Sequence, residues 1–186
     1  MNTKRALCTI IIFLVALTAC RKSKTKDPLS QLPPETQLGK NTFGCLIDGQ
    51  VFKPKGDPFA GPVIKAQYQM VNWKQGFGIS ARRSDGETGQ SVGIGGSDIG
   101  MIRVGIYELN SGRIDGRLSG GYSFSRITTL GNYYNTDSIR RGQINIKFFD
   151  TVNQIVSGTF WFDAIDTATG KVVQIREGRF DLPYVR

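Results

Sequence analysis

The sequence predicts an all-β domain: an antiparallel β-sandwich of about nine or ten short strands, with a closed antiparallel β-barrel as the alternative. Three observations carry this expectation. Apolar and polar residues alternate with period two in run after run, turn-forming pairs separate the runs, and helical periodicity never persists beyond about two turns. Glycine, at 23 residues, suits turns and bulges better than helices.

In order along the chain, Thr42 to Ile47 is an apolar, strand-like run. Asp48-Gly49, set before Val51-Phe52, is a two-residue hairpin signal. Ile64, Ala66, Tyr68 and Met70 alternate with Lys65, Gln67 and Gln69, and Phe77, Ile79 and Ala81 with Gly78, Ser80 and Arg82. Ile102, Val104 and Ile106 follow the same rule, as do Tyr122 with Phe124, and Ile144, Ile146 and Phe148. Phe160, Phe162 and Ala164 complete the pattern with Val173 and Ile175. Each set puts one apolar face inward and a wetter face outward, as antiparallel sheets do. The expected core is therefore Ile102, Val104, Ile106, Ile144, Ile146, Phe148, Phe160 and Phe162. Ser84-Asp85-Gly86, Asn110-Ser111-Gly112, Asp115-Gly116 and Ala168-Thr169-Gly170 supply the breaks.

The N-terminus obeys other rules. Lys4 and Arg5 precede an apolar run from Ala6 to Ala19. Fourteen residues of helix rise only about 21 Å, short of a hydrocarbon core of about 30 Å. A basic start, a short apolar run and small residues at its end describe a secretory signal peptide, residues 1–19. Leu17-Thr18-Ala19-Cys20 resembles the bacterial lipobox. That resemblance implies cleavage before Cys20, a diacylglycerol on its thiol and acylation of the new amine. Two or three acyl chains hold a protein stably on a membrane where one binds only marginally. Residues 20–40 are polar and interrupted by Pro28, Pro33 and Pro34, and read as a lipidated flexible tether. The single β-sandwich domain then spans residues 41–186.

The chain carries 24 basic and 15 acidic residues, and losing Lys4 and Arg5 takes its formal charge from +9 to +7. Arg21, Lys22, Lys24 and Lys26 follow the anchor and attract anionic head groups. No nucleic-acid motif accompanies the positive charge, so nucleic acid is not an expected partner. There is no histidine. That absence removes Ser-His-Asp and Cys-His catalysis and histidine-bearing zinc sites. With Cys8 in the signal and Cys20 lipidated, Cys45 is the one cysteine of the domain, expected as a buried, inert thiol.

The chemistry-bearing groups are few. Asp163 and Asp166 lack the spaced oxygen ligands of a calcium loop and read as solvated turn acids, though a glycosidase also needs two carboxylates in a cleft. Gly93-Ile94-Gly95-Gly96 lacks the helix and the Gly-Lys-Ser/Thr ending of a phosphate loop and reads as flexible strand or bulge. Trp73, Tyr133 and Tyr134, in loop-like contexts, are candidates for a ligand-stacking platform of the carbohydrate-binding kind. No metal site and no cofactor is expected.

Asn41 to Phe52 resembles the opening hairpin of small Bacteroidetes lipoproteins of an uncharacterised all-β family. Ser157-Gly158-Thr159-Phe160-Trp161-Phe162, Gly170-Lys171-Val172-Val173 and Glu177-Gly178-Arg179-Phe180-Asp181 resemble their closing strands. The resemblance implies an all-β lipoprotein and transfers no catalytic residue. Exported proteins of that phylum are often O-glycosylated at Asp-Ser/Thr followed by a small or apolar residue. Asp137-Ser138-Ile139, Asp150-Thr151-Val152 and Asp166-Thr167-Ala168 fit that form, making Ser138, Thr151 and Thr167 candidate acceptors.

The functional expectation is an envelope-anchored, non-catalytic binding or assembly module for a glycan or another envelope protein. A carboxylate-dependent glycan-acting enzyme is the alternative. Arg21, not aspartate, follows Cys20, and resemblance to lipoprotein sorting in better-known bacteria then implies the outer membrane. The cations of Arg21-Lys22-Ser23-Lys24, hugging anionic lipid of its inner leaflet, point to a domain facing the periplasm.

Overall fold

Most of the alternating runs become strands, and the strands join edge to edge. The computed structural model describes residues 27–57, 61–110, 116–126 and 128–186. The expected signal peptide, Cys20 and the start of the tether lie outside the described residues. After a 3-10 helix at Pro28–Gln31, the strands are β1 (Thr42–Ile47), β2 (Gln50–Phe52), β3 (Ile64–Val71), β4 (Lys74–Ser84), β5 (Thr88–Gly96) and β6 (Gly105–Leu109). They continue as β7 (Ser119–Arg126), β8 (Thr129–Asn135), β9 (Gly142–Asp150), β10 (Ile155–Ile165) and β11 (Val172–Pro183).

All eleven form one antiparallel sheet in the order β2-β1-β11-β10-β8-β7-β5-β4-β3, with β9 also on β10 and β6 on β9. β10 is the junction. Ile155 to Phe162 pair with β9, whereas Ile165 at its far end pairs with Asn135 of β8. The sheet therefore divides into two wings and curls into a half-barrel. Backbone bridges help hold the curl: Tyr68 donates to the Val185 carbonyl at 2.8 Å, and Lys55 bridges Arg83. The all-β antiparallel class expected from period two is the class observed.

One apolar cluster fills the curl, drawing Phe77, Ile79, Val92 and Ile94 from one wing and Phe43, Ile144, Ile146 and Phe180 from the other. Each such side chain removed from water contributes about 1.5–3 kcal/mol. Ile102, Ile144, Ile146, Phe160 and Phe162 are buried as expected. Val104 and Ile106 are not; they are 62% and 64% exposed. The chain bends at Val104 and Gly105 has φ +155°, so the alternation changes phase there. Tyr107 and Leu109 face inward instead. Phe148 is corrected for a similar reason. Ser157 pairs with Phe148 but Gly158 pairs with Ile146, leaving Lys147 as a bulge. An extra residue flips every later side chain, so Phe149, not Phe148, packs on the core.

Asp27 to Lys40 carries contacts that an unpacked tether lacks. Leu32 is buried, and a Cβ on Gly44 would meet Pro33 Cδ at 2.6 Å, so glycine lets this strap cross β1. Buried Asp181 of β11 then holds the strap. It accepts from Thr36 Oγ1 at 2.5 Å and from the backbone N–H of Gly39 (2.7 Å), Leu38 (3.1 Å) and Lys40 (3.2 Å).

Candidate functional site

The middle of the outward face of the β3-β4-β5-β7-β8 wing is built mainly of glycine and serine. Successive residues of a strand point to opposite faces. With Ile79, Val92 and Ile94 committed to the core, their neighbours Gly78, Ser80, Ser91, Gly93 and Gly95 face outward. Strand register assembles them into rows. Lys65, Ser80, Gly93, Gly121 and Asn135 form one row across five strands. Gln67, Gly78, Gly95 and Ser119 form a second, and Ser91, Ser123 and Tyr133 a third.

The result is an open groove of about 1000 Å³ with a floor of glycine and serine. Lys65 and Gln67 stand at one end, Tyr133 and Asn135 at the other. Five strands span about 19 Å, room for an oligomer rather than a single ring. The floor offers serine hydroxyls and exposed backbone, and the ends offer two amides, one ammonium and one aromatic face. No Asp or Glu is among the lining residues described.

The three aromatic candidates do not form one platform. Tyr133 is 68% exposed on the groove wall. Tyr134, one residue on, turns to the opposite face and packs at 5.4 Å from the Tyr122 ring behind the floor. Both sit on β8 rather than in a loop. Burial first, then the Tyr134 phenol, pushes the Tyr122 hydroxyl up to about 12, so it supplies no base near neutral pH. Trp73 lies away from the groove at the tip of the β3–β4 hairpin.

Ser138, Thr151 and Thr167 are all exposed and share one local geometry. In each triplet the aspartate side chain accepts the N–H two residues on: Asp137 from Ile139, Asp150 from Val152, and Asp166 from Ala168. These are Asx turns, which present the intervening hydroxyl to solvent. Hydrogen bonding holds all three carboxyls below the usual range: chiefly the Arg140 N–H for Asp137, the Asn153 N–H for Asp150 and the Asn132 amide for Asp166.

The remaining expectations divide. Cys45 is fully buried, and burial pushes its thiol far above the ordinary range. Asp163 pairs with Arg176 at 2.6 Å. Asp166 is not the solvated acid expected; its residue is 4% exposed, capped by Asn132 at 2.9 Å and Thr169 at 2.8 Å. Sequence reasoning missed a second cleft of about 490 Å³ on the other wing, where Trp161 lies beside Gln143 and Asn145. Glu35 and Glu177 both line it, each already facing a cation: Lys147 at 2.5 Å and Arg179 at 3.8 Å. Among the described residues no cluster of three or more acidic, cysteine or histidine side chains is placed to hold a metal ion.

Residues 91–182 match the family model described as a domain of unknown function (DUF6252). That span runs from within β5 to within β11 and takes in the closing strands, though not the opening hairpin. It contains the β5, β7 and β8 part of the groove and none of β3 or β4. No curated protein and no solved structure gives a significant match to the chain.

Proposed function

We propose that this chain is an envelope-anchored, non-catalytic lipoprotein whose groove binds an extended glycan. The glycine and serine floor carries the reading. Its bare backbone leaves space for flat, hydroxyl-rich rings, while Tyr133 offers an aromatic face to sugar C–H groups and Gln67 and Asn135 offer amides. Acylated Cys20 is the anchor, and the basic run behind it favours the periplasmic leaflet of the outer membrane. The solvent-facing Asx turns favour Ser138, Thr151 and Thr167 as glycan acceptors.

Calorimetric titration with neutral and N-acetylated oligosaccharides tests the binding. Tyr133→Ala is expected to weaken it about tenfold, equivalent to about 1.4 kcal/mol. Gly93→Thr is expected to abolish it with the fold retained, because an added Cβ meets Ile79 O and Ser80 Cβ at an ordinary 3.5 Å. Saccharide binding that ignores both substitutions refutes the groove. Protease added to intact and then to lysed cells tests the orientation, and intact mass from the native host tests acylation and glycosylation.

The enzymatic alternative has one observation in its favour, the shared cleft of Glu35, Glu177 and Trp161. Glycan turnover lost in both Glu35→Gln and Glu177→Gln would establish it.

A further inference from the structure

One end of the half-barrel is capped by rings and rimmed by exposed apolar side chains. Tyr68, Phe149 and Tyr184 form the cap: Tyr68 meets Phe149 edge-on at 5.2 Å, and Phe149 stacks on Tyr184 at 5.3 Å. Four chain segments gather around it. The bridge between Gln67 and Val185 is parallel, so β3 continues past the C-terminal residues into the hairpin tip at Trp73. Tyr184 ties the β9–β10 turn to the same place, donating from its N–H to Gln154 O at 2.8 Å. The loop after β5 arrives with Ile102, whose N–H reaches the Tyr68 hydroxyl at 3.3 Å.

These segments expose Met70 (61%), Trp73 (93%), Met101 (69%), Val104 (62%), Val152 (85%) and Val185 (61%). No single groove holds them; the apolar hollow of about 350 Å³ takes in only Met101 and Val104. Lys74, Arg103 and Arg186 stand among them, against Asp98 and against Asp150, whose carboxylate is engaged by its own turn. The Trp73 backbone is the telling feature. Asn72 and Trp73 have φ of +51° and +64°, the two central positions of a hairpin turn that favours Asn-Gly. A bulky residue there is strained, yet the indole lies almost wholly in solvent, so internal packing does not explain it.

We propose that this end of the half-barrel contacts an anionic lipid surface, with the Trp73 indole at head-group depth. Separate apolar points on loop tips, an exposed tryptophan and interspersed cations suit a bilayer interface, where indole is stable at the boundary and cations meet lipid phosphate. The contact is independent of acylation at Cys20 and of saccharide in the groove.

Trp73 and Trp161 are the chain's two tryptophans, which gives a direct test. The whole protein, as isolated from membranes, is reconstituted into phosphatidylethanolamine–phosphatidylglycerol vesicles with brominated acyl chains. Two single-tryptophan variants are compared: Trp161→Phe reports on Trp73, and Trp73→Phe on Trp161. The expected result is a blue shift and loss of most Trp73 emission, with Trp161 emission nearly unchanged. Unquenched Trp73, or equal quenching at both positions, overturns the proposal. So does a Trp73 blue shift that follows protein concentration without lipid, which assigns the patch to a second copy of the chain. Should Trp161→Phe fail to fold, bromolipid quenching of the wild-type protein is compared with that of Trp73→Phe; a larger quenched fraction in the wild type reads the same contact, and equal fractions overturn it. Intact mass reports Cys20 acylation separately, so failure of the anchor and failure of this contact are distinguishable.

Discussion

Replacing Asp181 by Asn removes one charge from a carboxylate that is 1% exposed and accepts four hydrogen bonds from the strap. The asparagine oxygen still accepts, but its NH2 faces donors it cannot serve. Hydrogen bonds to a charged group contribute about 1.5–3 kcal/mol each. Four do not simply add, because the strap can lift and return its N–H groups to water while Leu32 and the Glu35–Lys147 pair remain on the domain. The expected loss is about 3 kcal/mol, read from urea midpoints at unchanged slope. Amide exchange is expected to accelerate at Leu38, Gly39 and Lys40 first. The pH dependence has a defined sign. Burial raises the Asp181 pKa, but the Thr36 hydroxyl and the N–H groups of Leu38, Lys40 and Gly39 outweigh it and hold the carboxyl below its ordinary 3.8. A depressed folded pKa means that this stability is complete above the unfolded value and drains away as pH falls through the folded one. Asp181→Asn should therefore flatten the acid limb of the stability profile below about pH 4. A loss under about 1 kcal/mol at neutral pH, with strap exchange unchanged, would refute the argument.

Other substitutions separate packing from function. Gly158→Ala places a Cβ onto the Asn145 carbonyl and the Phe180 ring, where backbone cannot yield, and should cost about 3 kcal/mol; Gly93→Ala should be neutral or stabilising by up to about 1 kcal/mol. Equal thermal midpoints for the two would contradict this packing. Trp73→Gly should raise stability by about 1 kcal/mol by relieving the left-handed turn while weakening the lipid contact of this end of the half-barrel, an opposition that a purely structural tryptophan would not produce. Cys45 should resist iodoacetamide in the native protein and react stoichiometrically in denaturant, because burial withholds the thiolate; rapid native labelling would mean that β1 opens readily.

The strands whose two faces differ strongly were legible from residues alone. Phe77-Ile79-Ala81 and Phe160-Phe162-Ala164 could pair in only one phase without burying polar side chains, so period two determined both strand and inward face. The Asp48-Gly49 hairpin was legible for a related local reason, since both residues adopt the positive φ that the turn requires. Where the outward face is glycine and serine the same signal faded. The glycines of β5 left flexible strand and bulge both open, and Tyr133 and Tyr134 of β8 read as loop-like, yet those strands floor and wall the groove. A retrospective trace exists in small residues at every second position opposite Ile79, Val92 and Ile94. Alternation names the face but cannot say which strands lie side by side. Register alone brought Lys65, Gly93 and Asn135 into one row, put Phe149 rather than Phe148 in the core through a single bulged residue, and let Asp181 hold a strap more than a hundred residues away in sequence. Periodicity is a local property of the chain; contacts between strands depend on closing long loops in one register, and only the folded sheet decides that.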